Sequence, residues 1–289
     1  MPHITVGQEN SGSIDIYYED HGSGKPVVLM HGFPLSGRSW EKQGAALVEA
    51  GYRVIRYDRR GFGWSSQPYS GYDADTFAED LHKLITRLDL RDVTLVGMSM
   101  GGEEVARYLG KHGSDRVSRA VFISAVPPFL LKTPDNPSGV DKSVFDGIVT
   151  AIARDRLAFL TQFFMNFYNT DQLMGKSVSE EVVRDSWNVA AMASPRGTIQ
   201  CPPTWYTDFR DDLRRIDVPT LVIHGDADRI VPIEASGLRT HEMVRGSRLL
   251  VLEGAPHGLL WTHADQVNRA LVDFLAGRAV GAEPKTMAA

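Results

Sequence analysis

Cysteine is almost missing from this sequence. Cys201 is the only one in 289 residues, which excludes an intrachain disulfide and permits a reducing compartment. No uninterrupted apolar run reaches the roughly 20 residues that a membrane-spanning helix needs. The opening Met1-Pro2-His3-Ile4-Thr5-Val6 has neither the charged nor the apolar region of a secretory leader, so the expected location is the cytoplasm, away from any membrane. An excess of one charge is lacking too. With 31 basic and 36 acidic residues the net charge is −5, and no long basic run occurs, which argues against nucleic acid as a partner. The nine histidines show no His-x-x-x-His or similar spacing, so no metal site is expected. Internal repeats are absent, and a homo-oligomer is left open.

What is present is a sizeable apolar fraction, 43%, enough to cover a sheet on both faces. Strand-like and helix-like stretches alternate from Val27 to Ser124 and again from Thr220 to Leu275, which predicts an α/β protein with a doubly wound, mainly parallel sheet. Ile4 to Val6 and Ile14 to Glu19 read as an antiparallel hairpin at one edge. From Pro127 to Asp212 the strand signals stop, prolines cluster, and aromatics are dense at Phe159, Phe163, Phe164, Phe167 and Tyr168. The expected division is therefore a core of residues 1–126 and 213–279, an inserted helical cap of residues 127–212, and a disordered tail at 280–289. Most cap aromatics are expected to pack on one another. Phe129 and Trp205, at the junctions of cap and core, are assigned to the pocket instead, together with Phe33 and Ile230.

The strongest motif is Gly97-Met98-Ser99-Met100-Gly101, set between the β-branched run Val93-Thr94-Leu95-Val96 and the helix-like Glu103 to Leu109. A turn so sharp leaves no room for side chains beside it. It pushes the seryl oxygen out above the sheet and points helix N-terminal amides towards it. A second strand, Thr220 to His224, runs into Gly225-Asp226-Ala227-Asp228, and a third, Arg248 to Glu253, empties into Gly254-Ala255-Pro256-His257-Gly258, ahead of a helix beginning near Thr262. A seryl hydroxyl is a poor nucleophile until a neutral imidazole takes its proton, and a buried carboxylate holds that imidazole in the useful tautomer. Ser99, His257 and Asp228 fit these roles. Asp226 is the rival acid, but its place after Gly225 suits a bond within its own turn. His241 and His263 fall on helix faces and are given no role. The loop His31-Gly32-Phe33-Pro34, after the strand Pro26 to Met30, sits where the second oxyanion donor is needed, so the backbone N–H groups of Phe33 and Met100 are the expected pair. His31 is read as a loop organiser, and Asp58-Arg59-Arg60-Gly61-Phe62-Gly63, after the strand Tyr52 to Tyr57, as a structural turn with too few glycines to cradle phosphate.

These motifs, with Ser124-Ala125-Val126-Pro127-Pro128 and Phe145-Asp146-Gly147-Ile148, resemble the α/β-hydrolase superfamily over nearly the whole chain. Within it the chain resembles the cofactor-free haloperoxidase, aryl esterase and γ-lactamase group. Thr204 to Phe209 and His257 to His263 are more similar to the γ-lactamase branch. The resemblance implies an α/β-hydrolase fold, a triad of Ser99, Asp228 and His257, no cofactor, and small esters, lactams or carboxylic acids as substrates, with peracid formation at the same site. It also implies a cis Phe33–Pro34 bond that turns the Phe33 carbonyl to the pocket. Epoxide hydrolases and haloalkane dehalogenases share the loop motifs but need a carboxylate where Ser99 stands. A receptor-like binding protein and a C–C bond hydrolase are the alternatives, and turnover beyond one equivalent separates the receptor from an enzyme.

Overall fold

The computed structural model describes residues 2–281. Eight strands form one sheet: β1 (His3–Glu9), β2 (Gly12–His21), β3 (Pro26–Met30), β4 (Arg53–Tyr57), β5 (Val93–Met98), β6 (Val117–Ile123), β7 (Thr220–Gly225) and β8 (Arg248–Leu252). Their order is β1-β2-β4-β3-β5-β6-β7-β8, with β1 and β2 the antiparallel edge hairpin and every pair from β4 to β8 parallel. Parallel pairing requires crossovers, and here α1 (Glu41–Glu49), α2 (Ala74–Arg87) and α3 (Gly101–His112) supply the first three. The central strands β3, β5 and β7 are buried along their full length, as strands covered on both faces must be.

Alternate residues of each strand feed two separate apolar layers. Val27 and Leu29 join the layer that holds Leu47, Val267 and Leu271, while Val28 and Met30 join the one that holds Leu81, Leu84, Val105 and Leu109. Between β6 and β7 lie α4 (Lys142–Phe167), α5 (Thr170–Leu173), α6 (Glu180–Ala191), α7 (Pro195–Gln200) and α8 (Arg210–Arg214). Helix α4 is kinked at Asp155, whose backbone is extended (φ −158°, ψ 94°). Its aromatics Phe163, Phe164 and Phe167 are continuous with the first layer. Phe209 and Leu213, flanking and within α8, belong to the second layer, and Asp212 accepts from Arg107 Nε of α3 at 3.0 Å. After β7 come α9 (Gly237–Met243), α10 (Leu259–Thr262) and α11 (Ala264–Leu275). A short helix, α10, starts two residues after His257, and after a break at His263 (φ −124°, ψ 33°) the last helix begins at Ala264, close to the expected Thr262. From residue 282 on, the tail expected at 280–289 lies outside the described residues. Among the described residues no helix is long and apolar enough to cross a membrane.

Candidate active site

Ser99 sits at the C-terminal end of β5 with φ 55°, a left-handed conformation unusual for a side-chain-bearing residue. The strand-to-helix turn closes so tightly that a Cβ on Gly97 would collide with the Gly101 carbonyl, and one on Gly101 with the Met30 carbonyl. The two glycines are therefore required by backbone contact, and they let α3 begin directly behind the serine.

Three strand ends bring the candidate residues together. His257 Nε2 lies 2.9 Å from Ser99 Oγ, and His257 Nδ1 lies 2.7 Å from Asp228 Oδ2. All three side chains are buried. Asp228 Oδ1 accepts from the amides of Ile230 and Val231, each at 2.9 Å, so both of its oxygens are committed. Burial alone would raise this carboxyl's pKa. The charge of His257 and the hydrogen bonds of His224 and His257 outweigh that and hold it well below the usual carboxylate range. Asp226 is elsewhere: its Oδ1 accepts from Gly254 N at 2.6 Å, a bond to the neighbouring loop rather than to its own turn.

The oxyanion-side residues also converge. Phe33 and Ser99 share one cavity, the Phe33–Pro34 bond is cis, and neither the Phe33 nor the Met100 amide donates to a backbone acceptor outside the regular elements among the described residues. His31 organises this loop. It donates from Nδ1 to the Gly32 carbonyl at 2.9 Å and accepts at Nε2 from the Arg59 amide at 3.0 Å. Burial, reinforced by the Arg59 charge, keeps its pKa well below the usual histidine value, so the ring is neutral and both bonds are consistent with one tautomer. The Asp58-Arg59-Arg60 turn is structural: Asp58 accepts from Gly37 N at 2.7 Å and Trp64 N at 2.8 Å, Arg59 pairs with Glu104, and Arg60 pairs with Asp80 at 2.6 Å.

The cavity at Ser99 has a volume of about 260 Å³ and an apolar lining that includes Trp205, Ile230, Phe163 and Leu130. Phe129 is not part of it. Its ring lies under the Arg210 guanidinium at 4.9 Å, its carbonyl accepts from Asn136 Nδ2 at 2.8 Å, and Leu130 forms the wall in its place. A second cavity of about 300 Å³, bordered by Tyr168, Gly258 and Trp261, does not include Ser99.

Residues given no part in the site from sequence complete the arrangement. The Phe167 ring packs edge-on against the His257 imidazole at 5.1 Å, and its carbonyl accepts from Gly258 N at 2.7 Å. Asn169, itself left-handed (φ 47°), donates from Nδ2 to the Ala227 carbonyl at 2.9 Å. His224 places Nε2 at 3.0 Å from the Val231 carbonyl and 3.4 Å from Asp228 Oδ2.

A strand order of this kind, with a serine on a strained turn, an acid and a histidine at successive strand ends, defines a hydrolase of α/β architecture. Residues 25–264 match the family model of the α/β-hydrolase fold, and the chain belongs to that family. Its relatives place it in the non-haem haloperoxidase and esterase group. A Synechocystis protein carrying a provisional non-haem chloroperoxidase name is 63% identical over 95% of this chain and 100% of its own. A bifunctional esterase/perhydrolase of Acinetobacter calcoaceticus is 37% identical over 91% of this chain and 96% of its own. The crystal structure of a bromoperoxidase from Bacillus anthracis superposes with a TM-score of 0.92 at 52% identity, covering 95% of this chain and 99% of that one.

Proposed function

We propose that this enzyme is a serine hydrolase of small, apolar carboxylic esters or lactams, working through an acyl-enzyme on Ser99. The observation that carries the reading is the hydrogen-bonded chain from Ser99 through His257 to Asp228, opening on an apolar cavity of about 260 Å³. In it, Ser99 Oγ attacks the substrate carbonyl while His257 Nε2 takes its proton, and the Phe33 and Met100 amides hold the oxyanion. His257 then returns the proton to the leaving alcohol or amine. Water, activated by the same imidazole, releases the acid. Hydrogen peroxide in the place of that water would release a peracid, in keeping with the perhydrolase name of the Acinetobacter relative.

Residues 127–212 are assigned as the cap that closes this cavity, over a core of 1–126 and 213–279. Trp205 and Ile230, which line it, are assigned to substrate contact. The cytoplasm is the assigned compartment, in view of the lone, buried thiol of Cys201.

The test is a turnover panel of aryl acetates, short alkyl esters and a bicyclic γ-lactam, with and without peroxide. Multiple turnovers in the wild type are expected, and Ser99→Ala and His257→Ala should each lower kcat by about 10⁴-fold or more with the fold retained. Full activity in Ser99→Ala would reject the reading.

A further inference from the structure

Near the end of β7 lies an imidazole to which the proposed chemistry gives no part. His224 is completely buried, one position before the strand ends at Gly225 and four before Asp228. Its ring is held on two sides. Nε2 lies 3.0 Å from the Val231 carbonyl, and a Cβ placed on Gly237, the first residue of α9, would come within 2.6 Å of Nδ1. Only glycine at 237 leaves room for the ring.

The partners of the ring fix where its hydrogen is. A carbonyl oxygen only accepts, so the bond to Val231 requires the hydrogen on Nε2. Nδ1 has no hydrogen-bond partner among the described residues, which leaves the Nε2 side to set the tautomer. The same nitrogen lies 3.4 Å from Asp228 Oδ2, the oxygen that faces His257 Nδ1 at 2.7 Å.

Val231 completes a closed circuit. Its amide donates to Asp228 Oδ1 at 2.9 Å, while its carbonyl takes the His224 hydrogen. One residue thus ties the imidazole to one carboxylate oxygen, and the ring nitrogen itself flanks the other. The terminal torsion of an aspartate is otherwise broad and soft, so contacts at both oxygens are what hold it against rotation. That orientation has a chemical use. Oδ2 must stay in line with the Nδ1 hydrogen of His257 if the imidazole is to keep Nε2 free for the Ser99 proton.

We propose that His224 is a positioning residue for the acid of the triad: through Val231, and through its own N–H, it keeps the Asp228 carboxylate turned with Oδ2 towards His257. The inference rests on the acyl-enzyme reading above. His224 acts through Asp228 and touches none of the reacting atoms.

The test sets His224→Gln against His224→Met, two side chains of similar length and volume of which only Gln carries an N–H at about the reach of Nε2. In hydrolysis of methyl butyrate, followed by titration of released acid, the Met variant should lose about 10–100-fold in kcat with KM within about twofold, the range typical of losing a group that orients a catalytic ligand from behind. The Gln variant should stay within about threefold of wild type, because it restores the donor. Packing alone predicts equal losses, so equal kcat in the two variants overturns the proposal. The far-downfield proton resonance of the His257–Asp228 bond should persist with Gln and be displaced with Met, and an unchanged resonance with Met also overturns it. Should neither variant fold, nitrogen NMR of wild type carrying isotope-labelled histidine must place the His224 hydrogen on Nε2, and a hydrogen on Nδ1 rejects the idea. Ser99→Ala separates the two levels: if it is inactive while the Gln and Met variants match, His224 alone is refuted, whereas activity surviving in it removes the reading beneath.

Discussion

Two aspartates two residues apart have opposite settings. Asp228 receives four polar contacts in the dry interior, whereas Asp226 holds one exposed amide. Asp228→Asn should therefore lower kcat by about 10³–10⁴-fold, because the amide cannot support the imidazolium, while Asp226→Asn should cost about 1 kcal/mol of stability and leave kcat within about twofold. Steady-state kinetics with thermal melts of both variants checks this, and the reverse ranking would transfer the acid role to Asp226. Glu103, completely buried in the first turn of α3, makes a prediction for stability as well. Its folded pKa is raised, so the unfolded chain gives up the proton first, and stability must fall as pH rises from about 4.3 towards the folded value, by at most about 1.4 kcal/mol per pH unit. Above about 8 the slope ends. Glu103→Gln should melt higher than wild type, by a margin that widens over that window. Asp228 works in the opposite sense, contributing stability above about pH 3.9 that is lost only as strong acid titrates its depressed carboxyl.

At the scale of elements, the end of α4 holds the loops of both His257 and Asp228, through Phe167 to Gly258 and through Asn169 to Ala227. Asn169→Ala removes the second tie. We expect it to lower kcat about tenfold at nearly unchanged KM, and to drop Tm by about 2–4 °C, the shift typical of losing about 1 kcal/mol in a chain this long. Wild-type kcat in that variant would show that Ala227 holds its place unaided. None of this was legible in the sequence, where Asn169 is one polar residue after an aromatic run. The strands and the serine turn were legible because their causes are local: β-branched runs for β5 and β7, and glycines where backbone touches backbone. Pocket residues divide along the same line. Ile230 follows directly from its place two residues after Asp228, and Trp205 lies in the cavity wall, but Phe129 turns to Arg210, a choice made by a partner about 80 residues away that no local pattern announces.

For the whole molecule, the haloperoxidase names of the relatives raise the question of how halide is oxidised. If the acyl-enzyme is the route, a carboxylic acid acylates Ser99 with loss of water, and peroxide then releases a peracid that carries the oxidising equivalents to bromide in solution. Bromination should require acetate or a similar acid, withstand chelators, and vanish in Ser99→Ala. Steady bromination by that variant in acid-free buffer would refute the mechanism. The path of the chain through the fold has a further effect. The bond between Ser99 and His257 joins residues 158 positions apart, across the whole inserted helical segment. Such a contact is among the last that a chain can close. On the proposed mechanism, a ribosome that has already released the sheet strands around Ser99 still holds an inert protein, because the imidazole is yet to be translated. Activity then arises in a single late event, and a nascent chain arrested before residue 257 is a hydrolase in architecture only.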